Sequence, residues 1–426
     1  FFIPFRDEIH ELSELFPFWE KFAFLFSSCE ISIIKRRFIK MNEEKKVNST
    51  AMAYLLSCAQ ASPRLQEIFA FAESKGLEEK EILLENGESY PLADYAMHIF
   101  CNGCSILKQI VPDMAAASES LFVVSVLLPL VEASSSNWNY GSELLFELNC
   151  GGYNLSRQEI IAILAQQGNF ASNRSKGSQL EGNPLSVSLY CGRLIARLNT
   201  LPELKKPLGD ELSALSVSHI CRDSEASYQE RVEALVRTYV PKAYFAPKEK
   251  EIEAFLGFLA NSDFYTAPAS TRFHLSCEAG LVQHELHVVD RLVQLACPSS
   301  EAQVATCVLA AIGHDLCKIG VYAPYLKNQK VYHENGSKSD SQGAYDWQEV
   351  VGYNFSDSFP IGHGLKSMHL ITRFFPSNFP KEVACAIDAH MCEENINPRC
   401  YQQMMEYPLA LWLHIADMIA SQIDEV

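Results

Sequence analysis

The chain has 426 residues, 48% of them hydrophobic, which is enough to bury more than one helical core. Its formal net charge of -17 argues against an extended nucleic-acid face, because gripping a phosphate backbone depends on Lys and Arg; a small nucleotide stays compatible. The mainly apolar stretch 121–131 is too short to cross a bilayer and contains Pro129, so it reads as a buried core helix and no membrane partner is expected.

Residues 1–40 lack Met, are rich in Phe and run into Lys35-Arg36-Arg37 ahead of Met41. Codons for Lys-Arg-Arg resemble a bacterial ribosome-binding site, so translation is expected to start at Met41 with residues 1–40 as leader read in frame. A signal peptide would need an unbroken apolar segment, which Arg6, Asp7, Glu8, Glu11 and Glu14 interrupt. The 14 cysteines are scattered, many in apolar helical stretches (Cys307, Cys317, Cys385), the usage of a reducing cytoplasm. Cys101 and Cys104 form a CxxC with no second pair at zinc-ribbon spacing, and read as core packing.

Helix-period patterns dominate the chain. Leu281, His284, Val288 and Leu292 share one face, and Leu409, Leu413, Ala416 and Ala420 another; alternating β-branched runs are scarce, so an all-α fold is expected. The polar stretches Gln166–Asn183 and Lys327–Ser358 read as loops, the second long enough to form a lid or hairpin that sets substrate choice. The segment Tyr239–Glu251, with Pro241 and Pro247, is the expected boundary between a domain over 41–240 and another over 250–426.

The two halves align in order. His98 falls on His284, Pro129-Leu130 on His314-Asp315, Tyr140 on His363, Gln167 on His390 and Arg193 on Asp417. Such ordered matches favour a duplication whose first copy has lost its chemistry and serves as a scaffold or regulatory half.

The chemistry concentrates in the second half. His284, His314-Asp315 and Asp417 sit in separate apolar stretches, and burying an unpaired carboxylate calls for a cation or a partner, so these residues are expected to bind a divalent metal. His363 and His390 are expected to hold a second ion, with Asp315 bridging, and Mn, Fe, Mg, Zn and Ni are all compatible. Lys318, one turn after His314, can reach a phosphate oxygen or leaving group, and Lys366 is a further candidate for phosphate contact. His287, His369 and His414 read as structural.

The order of these residues resembles the HD superfamily of metal-dependent phosphohydrolases. The segments Asp263-Phe-Tyr-Thr-Ala-Pro-Ala-Ser-Thr-Arg-Phe-His274, Gly280-Leu-Val-Gln-His284, His314-Asp-Leu-Cys-Lys318, Phe359-Pro-Ile-Gly-His-Gly-Leu-Lys-Ser367 and His414-Ile-Ala-Asp417 are similar to bacterial and phage members, over roughly residues 255–426. The resemblance implies an HD-domain helical bundle, preceded by a degenerate HD-like repeat. It also implies metal binding by His284, His314, Asp315 and Asp417, with His363 and His390 completing a binuclear site, and hydrolysis of a nucleotide or other small phosphate ester in which Asp315 and Lys318 act. This chain departs at His390-Met391, where some binuclear members carry adjacent histidines, and lacks the Gly-Tyr-Pro signature of the cyclic-dinucleotide branch. The rival expectations are a 3′→5′ exonuclease of the HD type and a non-catalytic nucleotide sensor; self-association into a homo-oligomer is left open.

Overall fold

A computed structural model describes residues 50–84, 87–111, 115–134, 142–166, 182–198, 211–376, 378–391 and 398–425. The expected leader, Tyr140, Gln167 and most of the first polar stretch lie outside these residues. Contacts divide the chain into two units, residues 1–204 and 205–426.

The first unit contains helices α1 (Thr50–Ala59), α2 (Pro63–Ser74), α3 (Leu92–Ile110), α4 (Ala115–Ser134), α5 (Ser142–Cys150), α6 (Arg157–Ala165) and α7 (Pro184–Arg197), and a small hairpin of β1 (Glu81–Leu83) and β2 (Ser89–Pro91). The second contains α8 (Glu211–Arg222), α9 (Tyr228–Tyr239), α10 (Glu249–Ala260), α11 (Gly280–Ala296), α12 (Glu301–Gly313), β3 (Tyr322–Tyr332), β4 (Lys338–Asp340), β5 (Gly343–Phe355), α13 (His363–Thr372), α14 (Lys381–Ala389), α15 (Pro398–Glu406) and α16 (Pro408–Ile419). The expected boundary at Tyr239–Glu251 is therefore displaced. Helices α8 and α9 belong to the second unit because α8 packs on α11 and α9 on α12.

The all-α expectation is overturned by the two antiparallel sheets in a mostly helical fold. The larger sheet has the order β3-β5-β4, and its long hairpin covers most of the stretch Lys327–Ser358 that reads as loop. Cross-strand pairs explain it: Tyr322 faces Phe355, Leu326 faces Val351, Lys330 faces Trp347 and Tyr332 faces Tyr345, all on one side of the ribbon. The run Lys327-Asn-Gln-Lys330 hides this alternation, since it places polar residues on both faces of the strand.

Each unit is built by the same helix pairings. In the first, α3 packs on α7 and α4, α6 on α7 and α4, α4 on α7, α2 on α4, and α1 on α2 and α3. In the second, α11 packs on α16 and α12, α14 on α16 and α12, α12 on α16, α9 on α12, and α8 on α9 and α11. The helix bearing Arg193 thus holds the place in its unit that the helix bearing Asp417 holds in the other.

In the first unit α4 is the buried core helix expected from residues 121–131, all of them inaccessible. Cys101 and Cys104 lie on α3, and burial pushes the Cys101 thiol up to about 12. Glu132 is buried with Arg193 at 2.5 Å and Arg197 at 3.3 Å, a carboxylate neutralised by the protein's own cations. His98 instead bonds the Tyr90 hydroxyl.

Helices α3 and α7 meet closely. A Cβ on Gly192 would stand 2.6 Å from the Ile99 carbonyl oxygen and 2.8 Å from the Gly103 nitrogen, so only glycine permits this approach. Gly192→Ala is expected to destabilise the protein by about 1–3 kcal/mol, the usual cost of overpacking a tight core, measured as a lower midpoint in chemical unfolding.

Candidate metal centre

Five elements of the second unit deliver the candidate donors to one place. The apolar stripe of Leu281, Val288 and Leu292 turns one face of α11 inward and buries His284 with it. His314 and His390 are the residues that end α12 and α14. The last carbonyls of a helix lack intrahelical partners, and both histidines use one: His314 Nδ1 donates to Ala311 O at 2.7 Å, and His390 Nδ1 to Ile387 O at 2.6 Å. This fixes the tautomer and leaves each Nε2 lone pair facing inward. His363 opens α13, which approaches α14 so closely that a Cβ on Gly364 would lie 2.5 Å from the Asp388 carbonyl oxygen. Asp417 comes from α16.

The Nε2 atoms of His284 and His314 face each other at 3.3 Å, and His284 Nε2 lies 3.2 Å from Asp417 Oδ1. Asp315 Oδ2 is 3.7 Å from His284 Nε2 and 3.6 Å from His314 Nε2. Its other oxygen, Oδ1, bonds His363 Nε2 and lies 3.7 Å from His390 Nε2. Bonds of about 2.0–2.1 Å from zinc to nitrogen put neighbouring ligands of a tetrahedral ion about 3.3 Å apart, so the spacing suits a shared ion. His390 Nε2 is buried without a hydrogen-bond partner, a donor directed into the cluster and left open. These are buried His/Asp clusters that could hold a metal ion; among the described residues every such grouping falls in the second unit.

The electrostatics agree. Burial pushes the His284 imidazole down, but Glu425 and Asp417 outweigh it and hold the ring protonated well above its ordinary range. Burial likewise opposes charge on His363, yet the Asp315 carboxylate brings it to about 10. Asp315 stays well below the usual carboxylate range despite burial, because Lys318, His314 and His363 surround it; Lys318 Nζ is 2.5 Å from its Oδ2. His390, with burial dominant, falls to about 4 and is neutral, as a ligand must be. Protons on His284 and His363 thus occupy donor sites that a cation would compete for.

The structure brings together His284, His314, Asp315, His363, His390, Asp417 and Lys318. Lys366, one turn after His363 on α13, is buried and its ammonium bonds Asp357 at 2.6 Å. His414 supports the site by donating Nδ1–H to the His390 carbonyl at 2.6 Å.

Two carboxylates escape the sequence reading. Glu425 lies 3.0 Å from His284 Nδ1 and 2.9 Å from His287 Nδ1, and Glu285 Oε2 is 2.9 Å from His314 Nδ1 without forming a hydrogen bond. An acid following His284 gives Glu285 a weak signal; Glu425 has none, since its partners lie on a distant helix. His274, in a segment already singled out, packs at a tilt against His284 with ring centroids 4.9 Å apart.

No protein-family model matches this chain, and no match is found among curated proteins or solved structures.

Burial raises the Glu425 carboxyl, but the charge on His284 and the hydrogen bonds from His284 and His287 outweigh it and hold it at about 2, against an ordinary 4.5. A depressed carboxyl stabilises the fold fully above its unfolded value and loses that contribution as pH falls towards the folded one. Metal-free Glu425→Gln is therefore expected to be less stable than the parent at neutral pH, with the gap closing between pH 4.5 and 2, as read by urea unfolding at each pH.

Proposed function

We propose that the second unit is a metal-dependent phosphohydrolase of the HD type, acting on a nucleotide or other small phosphate ester. The observation that carries the reading is the convergence of two imidazole Nε2 atoms and two carboxylates within 3.2–3.7 Å around one point, from residues far apart in the chain. His284, His314, Asp315 and Asp417 would hold one divalent ion (Mn, Fe, Mg, Zn or Ni), with His363 and His390 available for a second. Such ions supply a water activated at neutral pH and neutralise charge on a phosphoryl group.

The chain's own residues do the rest. His314 and His390 are fully inaccessible while the His363 side chain is 31% exposed, so the cluster opens to solvent on the His363 side. Lys318 stays protonated beside Asp315, which opposes the burial that would neutralise it, and its other N–H groups serve phosphoryl oxygens or a leaving group. The Asp315–Lys318 pair also acts on the Tyr322 hydroxyl at the base of the hairpin. There the Tyr322 ring lies 5.8 Å from Phe355, which is 60% exposed, and an aromatic surface of this kind suits a planar base.

No helix among the described residues is long and apolar enough to cross a membrane, and the many thiols fit the cytoplasm as compartment. An acidic chain without an added basic module disfavours long nucleic acid as substrate.

A screen of nucleotides and bis-p-nitrophenyl phosphate with Mn²⁺ is expected to reveal turnover, and Asp315→Ala to lower kcat/KM by at least about 10²–10³-fold, as for loss of a group stabilising transition-state charge. Tight nucleotide binding without any turnover would replace this reading with the sensor. Phe355→Ala is expected to raise KM for nucleotides about 5–100-fold, the worth of one base–aromatic stack, while hydrolysis of base-free phosphate esters is unchanged.

A further inference from the structure

We propose that the Cys317 thiol is a ligand of a second metal position, formed with Asp315 Oδ1, His363 and His390, which therefore takes a thiophilic ion such as zinc, cobalt or iron in preference to magnesium. This inference rests on the metal-centre reading and extends it to a residue that the pattern of histidines and acids does not include.

The geometry has three parts. A sulfur of Cys317, a carboxylate oxygen of Asp315 and a ring nitrogen of His363 all lie within 4.8 Å of one another. His390 Nε2, buried and without a hydrogen-bond partner, stands 3.7 Å from the same Asp315 oxygen that His363 bonds. Asp315 thus turns Oδ2 towards His284 and His314 and Oδ1 towards His363 and His390, an arrangement that serves two neighbouring positions.

The backbone holds the thiol there. Cys317 is the middle residue of the 3₁₀ turn Leu316–Lys318, and its N–H donates to Ser367 Oγ at 3.0 Å. Ser367 sits one turn after His363 on α13, so a single hydrogen bond ties the cysteine's turn to the helix that carries the imidazole. Cys317 is 6% exposed and its donor neighbours are an imidazole and a carboxylate, whereas Cys307, buried in α12, has none of the cluster's groups among its neighbours.

The chemistry balances without an oxidant. As the sulfur–metal bond forms, the S–H bond breaks and its proton passes to solvent, leaving a thiolate ligand and no change in oxidation state. A sulfur and an imidazole nitrogen beside a carboxylate oxygen make a donor set for zinc or cobalt, and magnesium, which prefers oxygen, gains little from it.

Cobalt titration of the reduced, metal-free full chain tests the assignment. Visible d–d bands report ion binding, and a near-ultraviolet sulfur-to-cobalt charge-transfer band reports the thiolate. The expected result is both, with Cys317→Ser losing the near-ultraviolet band, keeping visible bands from the ion at His284, His314 and Asp417, and binding zinc at least about tenfold more weakly at the second position, as for loss of a group that tunes metal affinity. X-ray absorption of the unmutated zinc protein gives a check that needs no variant: a Zn–S shell at about 2.3 Å. Cobalt bound without the near-ultraviolet band, the same band in Cys317→Ser, or a zinc shell with no sulfur would each overturn the cysteine ligand and leave the metal centre standing. Failure to bind cobalt or zinc at all would overturn both.

Discussion

A carboxylate removed from water has to be met by positive charge, and that requirement shapes the centre of both units. In the first, Glu132 is answered by Arg193 and Arg197. In the second, the helix in the corresponding place brings Asp417, and Asp315 and Glu285 are buried nearby. One residue, arginine or aspartate, reverses the sign of the deficit. Among the described residues the first unit meets this carboxylate with its own arginines, while in the second the acids are met by Lys318 and by imidazoles in clusters that could hold a metal ion.

The histidines are prepared for that role by the ends of helices. A helix terminus leaves carbonyls unpaired, and a histidine placed there can satisfy one through Nδ1 while offering Nε2 to the interior. His314 and His390 do this in the same way, and His284 reaches the equivalent state through Glu425. The donors are thus oriented before any ligand arrives. The glycine at 364 contributes by letting α13 lie against α14, without which His363 and His390 could not flank one oxygen of Asp315.

The hairpin ties the outside of the unit to this centre. Its aromatic side begins at Tyr322, under the electrostatic influence of Lys318 and Asp315, and continues through Phe355, Tyr353 and Leu326 to Trp347 and Tyr345, over which Lys330 lies. A surface so apolar on an exposed ribbon costs solubility.

Much of this was legible in the order of residues. Periodic apolar positions define α4, α11 and α16, and a histidine or aspartate inside such a stripe must be buried, so His284, His314-Asp315 and Asp417 could be named from the chain alone. The hairpin could not, because helix-period patterns swamp a short alternation diluted by Asn328, Gln329 and Lys330, and the pairing of β3 with β5 is decided by residues 13 to 33 positions away. The place of α8 and α9 depended on which helices they pack against, which no local composition records. Side-chain partners were equally a matter of packing: Lys366 turned to Asp357, Glu425 came to His284 from the far end of the chain, and the sulfur of Cys317 reached Asp315 through a turn tied to Ser367. Sequence by itself determined which residues must leave water and what charge they carry there. Only the tertiary structure decided which of them meet, because long-range contacts, set by the whole packed chain, fix distances that local pattern leaves free.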